Sequence, residues 1–307
     1  MQTLSRSAAV IAALFLTCGS AAAANGPTPL SAPALKTLLI PANPITTRFA
    51  PGAQEFPVGQ FSASLSYSFE ESDGVRFEDH EIGDNVETKS HISYLKLRYG
   101  LLPGLDIRSR TPFYRIDMKT DGDDKDFYWL GDTTIIAHKA LLKPDNGTGL
   151  QLAFDFGGTV PTAHVDSNSY DYLGNHAWGL YTGFEATWFA GRHRIDQEVN
   201  FSSFSESNHD YRKPDVTEVN TAWAYAMTEN FDVGVESNFE WNGESSKDNI
   251  DLDDAMFEWF AGPKIAWETP ENKMLFGAAF MLPVYRYYDA PTPSEAFRVE
   301  VKLSKLF

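Results

Sequence analysis

The sequence predicts an all-β protein: an antiparallel up-and-down transmembrane β-barrel of about twelve strands with short periplasmic turns and longer extracellular loops. Three observations predict it. Strand-length stretches alternate between apolar and polar residues, the connections alternate between short and long, and aromatic residues gather near strand ends on the apolar face.

Before the barrel come two segments of different character. Arg6 precedes an apolar run from Ala8 to Leu16 that is too short to span a bilayer, and Ala22, Ala23 and Ala24 form a small-residue cleavage site. Residues 1–24 therefore read as a cleaved export signal. The only cysteine, Cys18, lies inside it, so the exported chain has no disulfide, thiolate metal site or cysteine nucleophile. Residues 25–57 hold Pro27, Pro29, Pro33, Pro41, Pro44, Pro51 and Pro57 and cannot pair as a central strand. They read as a periplasmic leader or, through Leu38, Leu39 and Ile40, as a plug in the lumen.

Residues 58–307 read as the barrel. The first strand, Val58 to Glu70, puts Phe61, Ala63, Leu65, Tyr67 and Phe69 on one face and Gln60, Ser62, Ser64, Ser66 and Ser68 on the other. Further strands follow near Thr88–Tyr99, Leu105–Asp117, Asp132–Leu142, Gly149–Val160, Ala177–Ala190, Arg192–Glu206, Asp215–Met227, Phe231–Asn242, Ala255–Trp267 and Lys273–Val284. The last, Ala296–Phe307, stays apolar on one face through Phe297, Val299, Val301, Leu303 and Phe307, which resembles the C-terminal insertion signal of outer-membrane barrels. Lys305 breaks that face, in a position from which its amine can snorkel to water.

The connections carry the topology. Turn residues mark short links at Gly100–Gly104, Lys143–Thr148, Gly191, Thr228–Asn230 and Thr269–Asn272. Longer polar links fall near 71–87, 118–131, 161–176, 207–214, 243–254 and 285–295. This rhythm is that of an even up-and-down barrel with both chain ends in the periplasm.

Composition excludes several alternatives. The net charge of −17 repels phosphate backbones and argues against nucleic acid as a partner. The longest apolar run after the signal, Met274 to Val284, contains Gly277 and Pro283 and is too short for a membrane helix. Of seven tryptophans, Trp178, Trp188, Trp223, Trp241, Trp259 and Trp267 fall on outward faces. With Phe307 they are expected to form interfacial girdles, where an aromatic ring meets both lipid and water.

The inward faces are charged. Lys96, Arg98, Arg108 and Arg110 gather on the second and third strands, while Asp155, Glu185, Asp196, Glu198, Glu236, Glu240, Glu258 and Glu300 come later. Closing the barrel is expected to set Lys96, Arg98, Arg108 and Arg110 against Glu236, Glu240 and Glu258 as a lumen constriction. Two outcomes stay open: the charges pair into a nearly solid interior, or water remains for solutes to pass.

Catalytic and metal signals are weak. His91 and Ser93 share a strand face, in a way that resembles outer-membrane phospholipase, but no Asn-Gly follows and no orienting partner is evident. His80, His138, His164, His176, His193 and His209 show no metal spacing. The acidic runs Asp121–Asp126 and Asp248–Asp254 match no calcium-loop pattern and read as solvated loop tips. No catalytic residue, metal or cofactor is expected.

A family resemblance rests on particular runs. Tyr99 to Tyr114, Tyr-Gly-Leu-Leu-Pro-Gly-Leu-Asp-Ile-Arg-Ser-Arg-Thr-Pro-Phe-Tyr, resembles the hairpin of the outer-membrane family named for the meta-cleavage pathway of phenol degradation. Leu130-Gly131-Asp132 leading into Ile135–Leu142 is similar to its Gly-Asp strand element. Phe154 to Thr162 resembles its strand ending in Leu-Pro-Thr-Gly, with Ala163 in place of the glycine. The resemblance implies a barrel in the bacterial outer membrane that admits aromatic or other hydrophobic compounds, and it carries no catalytic residues.

The expected function is a narrow channel for passive uptake of small molecules. The alternatives are a closed barrel with a structural or surface-interaction role and, behind it, a lipid-modifying enzyme. Expected partners are outer-membrane lipids and lipopolysaccharide, a small-molecule solute, and the barrel-assembly machinery acting on the C-terminal strand.

Overall fold

The computed structural model describes residues 52–83, 86–120, 123–144, 149–163, 176–207, 210–269 and 273–307. The expected export signal, the proline-rich stretch through Pro51 with Leu38–Ile40, and His164 and His209 lie outside the described residues.

The strands, in chain order, are β1 (Phe61–Glu78), β2 (His80–Gly83), β3 (Val86–Leu102), β4 (Leu105–Thr120), β5 (Asp123–Leu130), β6 (Thr133–Leu142), β7 (Gly149–Val160), β8 (Gly179–Ala190), β9 (His193–Phe204), β10 (Tyr211–Arg212), β11 (Val216–Ala226), β12 (Phe231–Asn242), β13 (Ser246–Lys247), β14 (Ile250–Asp251), β15 (Met256–Thr269) and β16 (Met274–Leu306). No helix occurs among the described residues. The order β16-β15-β12-β11-β9-β8-β7-β6-β4-β3-β1 closes on itself through β1 and β16, and every pairing in it is antiparallel.

Eleven strand elements thus make the ring, yet direction requires an even number of crossings. Alternating antiparallel neighbours give β1 and β15 opposite directions. β16 is antiparallel to both, from Met274 to Tyr288 against β15 and from Tyr288, opposite Glu78, through Thr292 to Leu306 against β1. The chain must therefore reverse between Tyr288 and Thr292, and β16 is two limbs. Side chains bind the limbs together: Arg286 Nη1 reaches Ser294 Oγ at 3.4 Å, and the Phe280 and Phe297 rings lie 5.9 Å apart. Counted as crossings, the barrel has the twelve that the alternation of connections predicts.

Where a long loop was expected, the structure often continues as sheet. β1 runs on to Glu78 and pairs with β2; β4 runs on to Thr120 and pairs with β5; β10, β13 and β14 form a small separate sheet; and the expected 285–295 loop lies within β16. Polar composition at these positions reports that both faces of the ribbon meet water, while the backbone still gains by pairing its own N–H and C=O groups.

Side chains sort by parity. On the outer face Leu65, Leu95, Phe113, Ile135, Phe184, Val235, Ile265 and Val301 stand exposed, with Leu65 at 54%. The inner face buries Ser66, Arg98, Arg108, His138, Asp155, Glu185, Glu198, Asn220, Glu236 and Lys264. Apolar outside and charged inside is the reverse of a water-soluble barrel, and it places this one in the bacterial outer membrane.

Candidate functional site: the lumen

The largest charged group hangs from five neighbouring strands. Arg98 of β3 makes a two-pronged contact with Asp106 of β4, Nε to Oδ1 at 2.8 Å and Nη2 to Oδ2 at 2.6 Å, which matches the planar guanidinium fork to a carboxylate. Arg108, two residues along the same face of β4, donates from Nε to Asp106 Oδ1 at 3.1 Å and from Nη1 to Glu185 Oε1 of β8 at 2.7 Å. Its Nη1 also stands 3.5 Å from Asp155 Oδ2 of β7. His138 of β6 closes the group, with Nδ1 2.6 Å from Asp155 Oδ1. Adjacent strands in register deliver these residues: Arg108 pairs with Ile136, His138 with Asp155, and Ala153 with Glu185.

His138, Asp155 and Glu185 hold ligand-capable atoms within 4.8 Å of one another, a grouping invisible in their sequence spacing. The positive charge facing these carboxylates is already supplied by Arg108, so the group is an ion-pair network.

A second set lies between β8 and β12. Tyr181 donates to Glu198 Oε1 at 3.2 Å, Asn220 donates to Glu198 Oε2 at 3.0 Å, and Asn200 donates to Glu218 Oε2 at 3.0 Å. Side-chain amides and a tyrosine hydroxyl meet the carboxylates here. Toward the extracellular rim, Arg298 grips Glu295 with Nε at 3.1 Å and Nη2 at 2.9 Å, stands 3.4 Å from Glu70, and lies over the Phe260 ring at 4.8 Å.

Each residue of the expected constriction faces the lumen, and several find partners nearer than the opposite wall. Arg98 and Arg108 engage Asp106, Asp155 and Glu185. Glu236 stands 3.3 Å from Lys264, Glu240 accepts from Asn242 at 3.1 Å, and Glu258 accepts from the Tyr288 hydroxyl. Lys96 and Arg110 stand over the Tyr94 ring at 5.6 Å and 5.1 Å. Neighbouring strands lie about 4.8 Å apart, so adjacent side chains meet before those across the barrel do. Sequence reasoning passed over Asp106 and His138 here. The signal for Asp106 was available, because it shares the parity of Arg108 and Arg110.

On the outer surface Trp178 is 61% exposed, Trp223, Trp241 and Trp267 are exposed, and Trp188 and Trp259 are half-buried. Phe307 lies 5.8 Å from Phe61, and the Lys305 amine lies over the Phe307 ring at 5.3 Å. His91 Nδ1 is 2.6 Å from the Tyr67 hydroxyl, and its Nε2 faces Asp117 at 3.8 Å. Both ring nitrogens thus point at residues other than Ser93.

The family-like runs meet in space. Asp132 Oδ1 accepts from the Ala163 N–H at 2.8 Å and Oδ2 from the Ala177 N–H at 3.4 Å, while Thr162 Oγ1 accepts from the Thr133 N–H at 2.8 Å. The Gly-Asp element therefore fastens both ends of the long link between β7 and β8.

A family model described as the MetA-pathway of phenol degradation matches residues 82–286. Among solved structures, the chain is similar to an outer membrane channel from Pseudomonas putida F1, with 16% identity and a TM-score of 0.70 over 83% of this chain and 98% of that one. The beta domain of the Bordetella autotransporter BrkA follows with 10% identity and a TM-score of 0.45, over 81% of this chain and 100% of that one. No curated protein sequence matches.

Proposed function

Since the chain belongs to the family of the MetA-pathway of phenol degradation, we propose that it is a narrow outer-membrane channel for passive uptake of small molecules. The observation that carries this reading is the lumen itself: a closed ring whose inner face bears charged and amide side chains on almost every strand, such as Arg108, Glu185, Asn220 and Lys264. A barrel kept only as a scaffold gains no stability from this, because buried ion pairs are often no better than apolar packing. Charged walls hold water and orient solutes. The family supports aromatic or other hydrophobic compounds as the cargo class.

Within this reading Lys96, Arg98, Arg108 and Arg110, with Glu236, Glu240 and Glu258, line the restricted part of the path. The chain is not an enzyme; the turning of both His91 nitrogens away from Ser93 supports this. Lipid and lipopolysaccharide contact the tryptophan girdle and outer rim, and the assembly machinery reads the C-terminal limb.

Folded protein in a planar bilayer tests the proposal. Stepwise current is expected, with open time reduced by small aromatic solutes added to one side. Folded protein that gives no discrete current, even with residues 25–57 removed, would leave the closed scaffold as the better reading.

A further inference from the structure

The outer wall changes character along β4. Phe113, Arg115, Asp117 and Lys119 point away from the lumen, because Asp106 and Arg108, buried on the inner face, have the opposite parity. Phe113 is exposed to lipid, and the three outward residues beyond it are charged. Neighbouring strands repeat the change. Register sets Arg115 beside His91 of β3 and Tyr128 of β5, and His91 beside Phe69 of β1. One pair further out, Asp117 stands beside Lys89, and Lys89 beside Glu71.

This row has a definite depth. Leu65 is the middle of the lipid-facing run from Phe61 to Phe69, and Phe69 lies four residues beyond it. Four residues of strand are about 13 Å, or about 10 Å of height at a tilt of about 40°, while the apolar band of such a barrel is about 25 Å tall. Phe69, His91, Arg115 and Tyr128 therefore stand at the outer edge of the hydrocarbon, where lipid headgroups begin. Elsewhere the extracellular strand ends carry Trp178, Leu180, Trp241 and Tyr285 on this face, so the sector of β1, β3, β4 and β5 differs from its neighbours.

The contacts hold two cations in place. Arg115 Nε donates to Asp117 Oδ1 at 2.9 Å, and its guanidinium lies over the Tyr128 ring at 5.3 Å. Neither contact uses its two Nη groups, and the side chain is 48% exposed. Lys89 Nζ stands 2.7 Å from Glu87 and 3.4 Å from Glu71, which engages two of its three donors. Arg115 and Lys89 are diagonal neighbours on adjacent strands, about 7–8 Å apart at the backbone and closer at the ends of long side chains.

We propose that this sector binds the phosphorylated glucosamine headgroup of lipopolysaccharide, with Arg115 and Lys89 sharing a phosphate and Phe113 lying against the start of an acyl chain. The inference rests on the outer-membrane placement and not on the channel reading. The free edge of a guanidinium pinned by Asp117 and Tyr128 matches two phosphate oxygens, and little side-chain freedom is left to lose on binding. Glu71, Glu87 and Asp117 balance the cations, and a headgroup layer that carries divalent cations between its phosphates offers partners to both signs.

The test uses the full exported chain folded in detergent, with a chelator present so that only direct phosphate contacts are read. It is titrated with deep-rough lipopolysaccharide, with the same lipid stripped of its phosphates, and with phosphatidylglycerol. The temperature at which heat-shifted gel mobility is lost reports binding, and the mobility shift without lipid checks that each variant is folded. Intact lipopolysaccharide should raise that temperature most. Arg115→Ala should raise the half-saturating concentration about tenfold, Lys89→Ala should raise it by less, and Arg115→Lys should fall between Arg115→Ala and the parent. Lys139→Ala, at an outward position beside the β3–β4 turn, should match the parent.

Equal stabilisation by the phosphate-free lipid or by phosphatidylglycerol would overturn a headgroup site for lipopolysaccharide. An unchanged half-saturating concentration in both Arg115→Ala and Lys89→Ala would overturn this sector as its place.

Discussion

Arg108 Nη1 lies 2.7 Å from Glu185 Oε1, joining β4 to β8 across the two strands between them, with both side chains buried. Charges withdrawn from water this completely are stabilised only as a set, so removing one member strands the rest. Arg108→Met should lower stability by about 3–5 kcal/mol, and Arg108→Met with Glu185→Gln should cost less than the sum of the singles. Urea unfolding in detergent, followed by tryptophan fluorescence, measures both. Strict additivity would mean that the pair is not a unit.

Leu65 and its partner Leu95 stand near mid-height on the lipid face. Leu65→Arg should cost about 2–4 kcal/mol, since a cation at mid-membrane has no water to reach. Lys305, beside Phe307 at the rim, already carries an amine without that cost. Folding yield into vesicles separates the positions: Lys305→Leu should leave it unchanged, and Leu65→Arg should reduce it.

Asp132 accepts from the Ala163 and Ala177 N–H groups, and both alanines are buried. Asp132→Ala would leave two buried donors without this acceptor, at a cost of about 1–3 kcal/mol for each. A lowered thermal midpoint for Asp132→Ala, with Asp132→Asn between it and the parent, is the expected order.

Glu55, held against the β3–β4 turn, should respond to acid. The hydrogen bond from Lys143 holds the Glu55 carboxyl below its ordinary value of 4.5; burial opposes this, and the Gly104 N–H adds to it. A depressed carboxyl stabilises the folded state above its unfolded pKa and loses that contribution as pH falls through the folded one. The thermal midpoint in detergent should therefore fall as pH drops below the ordinary carboxyl range, and Glu55→Gln should remove part of that fall. A fall of the same size in Glu55→Gln would assign the acid response to another group.

The amino-acid sequence by itself determined the class of fold, its crossings and its orientation between lipid and lumen. Alternation in a strand is written residue by residue, and one face meeting a different solvent needs no knowledge of the neighbours; β7 and β12 begin and end where the alternation does, at Gly149–Val160 and Phe231–Asn242. Parity alone put Lys96, Arg98, Glu236 and Trp241 on their proper faces. Partnership was another matter. Arg108 and Glu185 lie far apart in the chain, and whether Arg98 meets Asp106 or an acid across the barrel depends on register and on a spacing of about 4.8 Å between strands. The proline-rich entry segment showed the same limit. Its composition excluded a central strand and left a leader and a lumen plug as open readings; that Ala53, Gln54 and Glu55 meet Thr187, Arg98 and Gly104 depends on residues that only ring closure brings together.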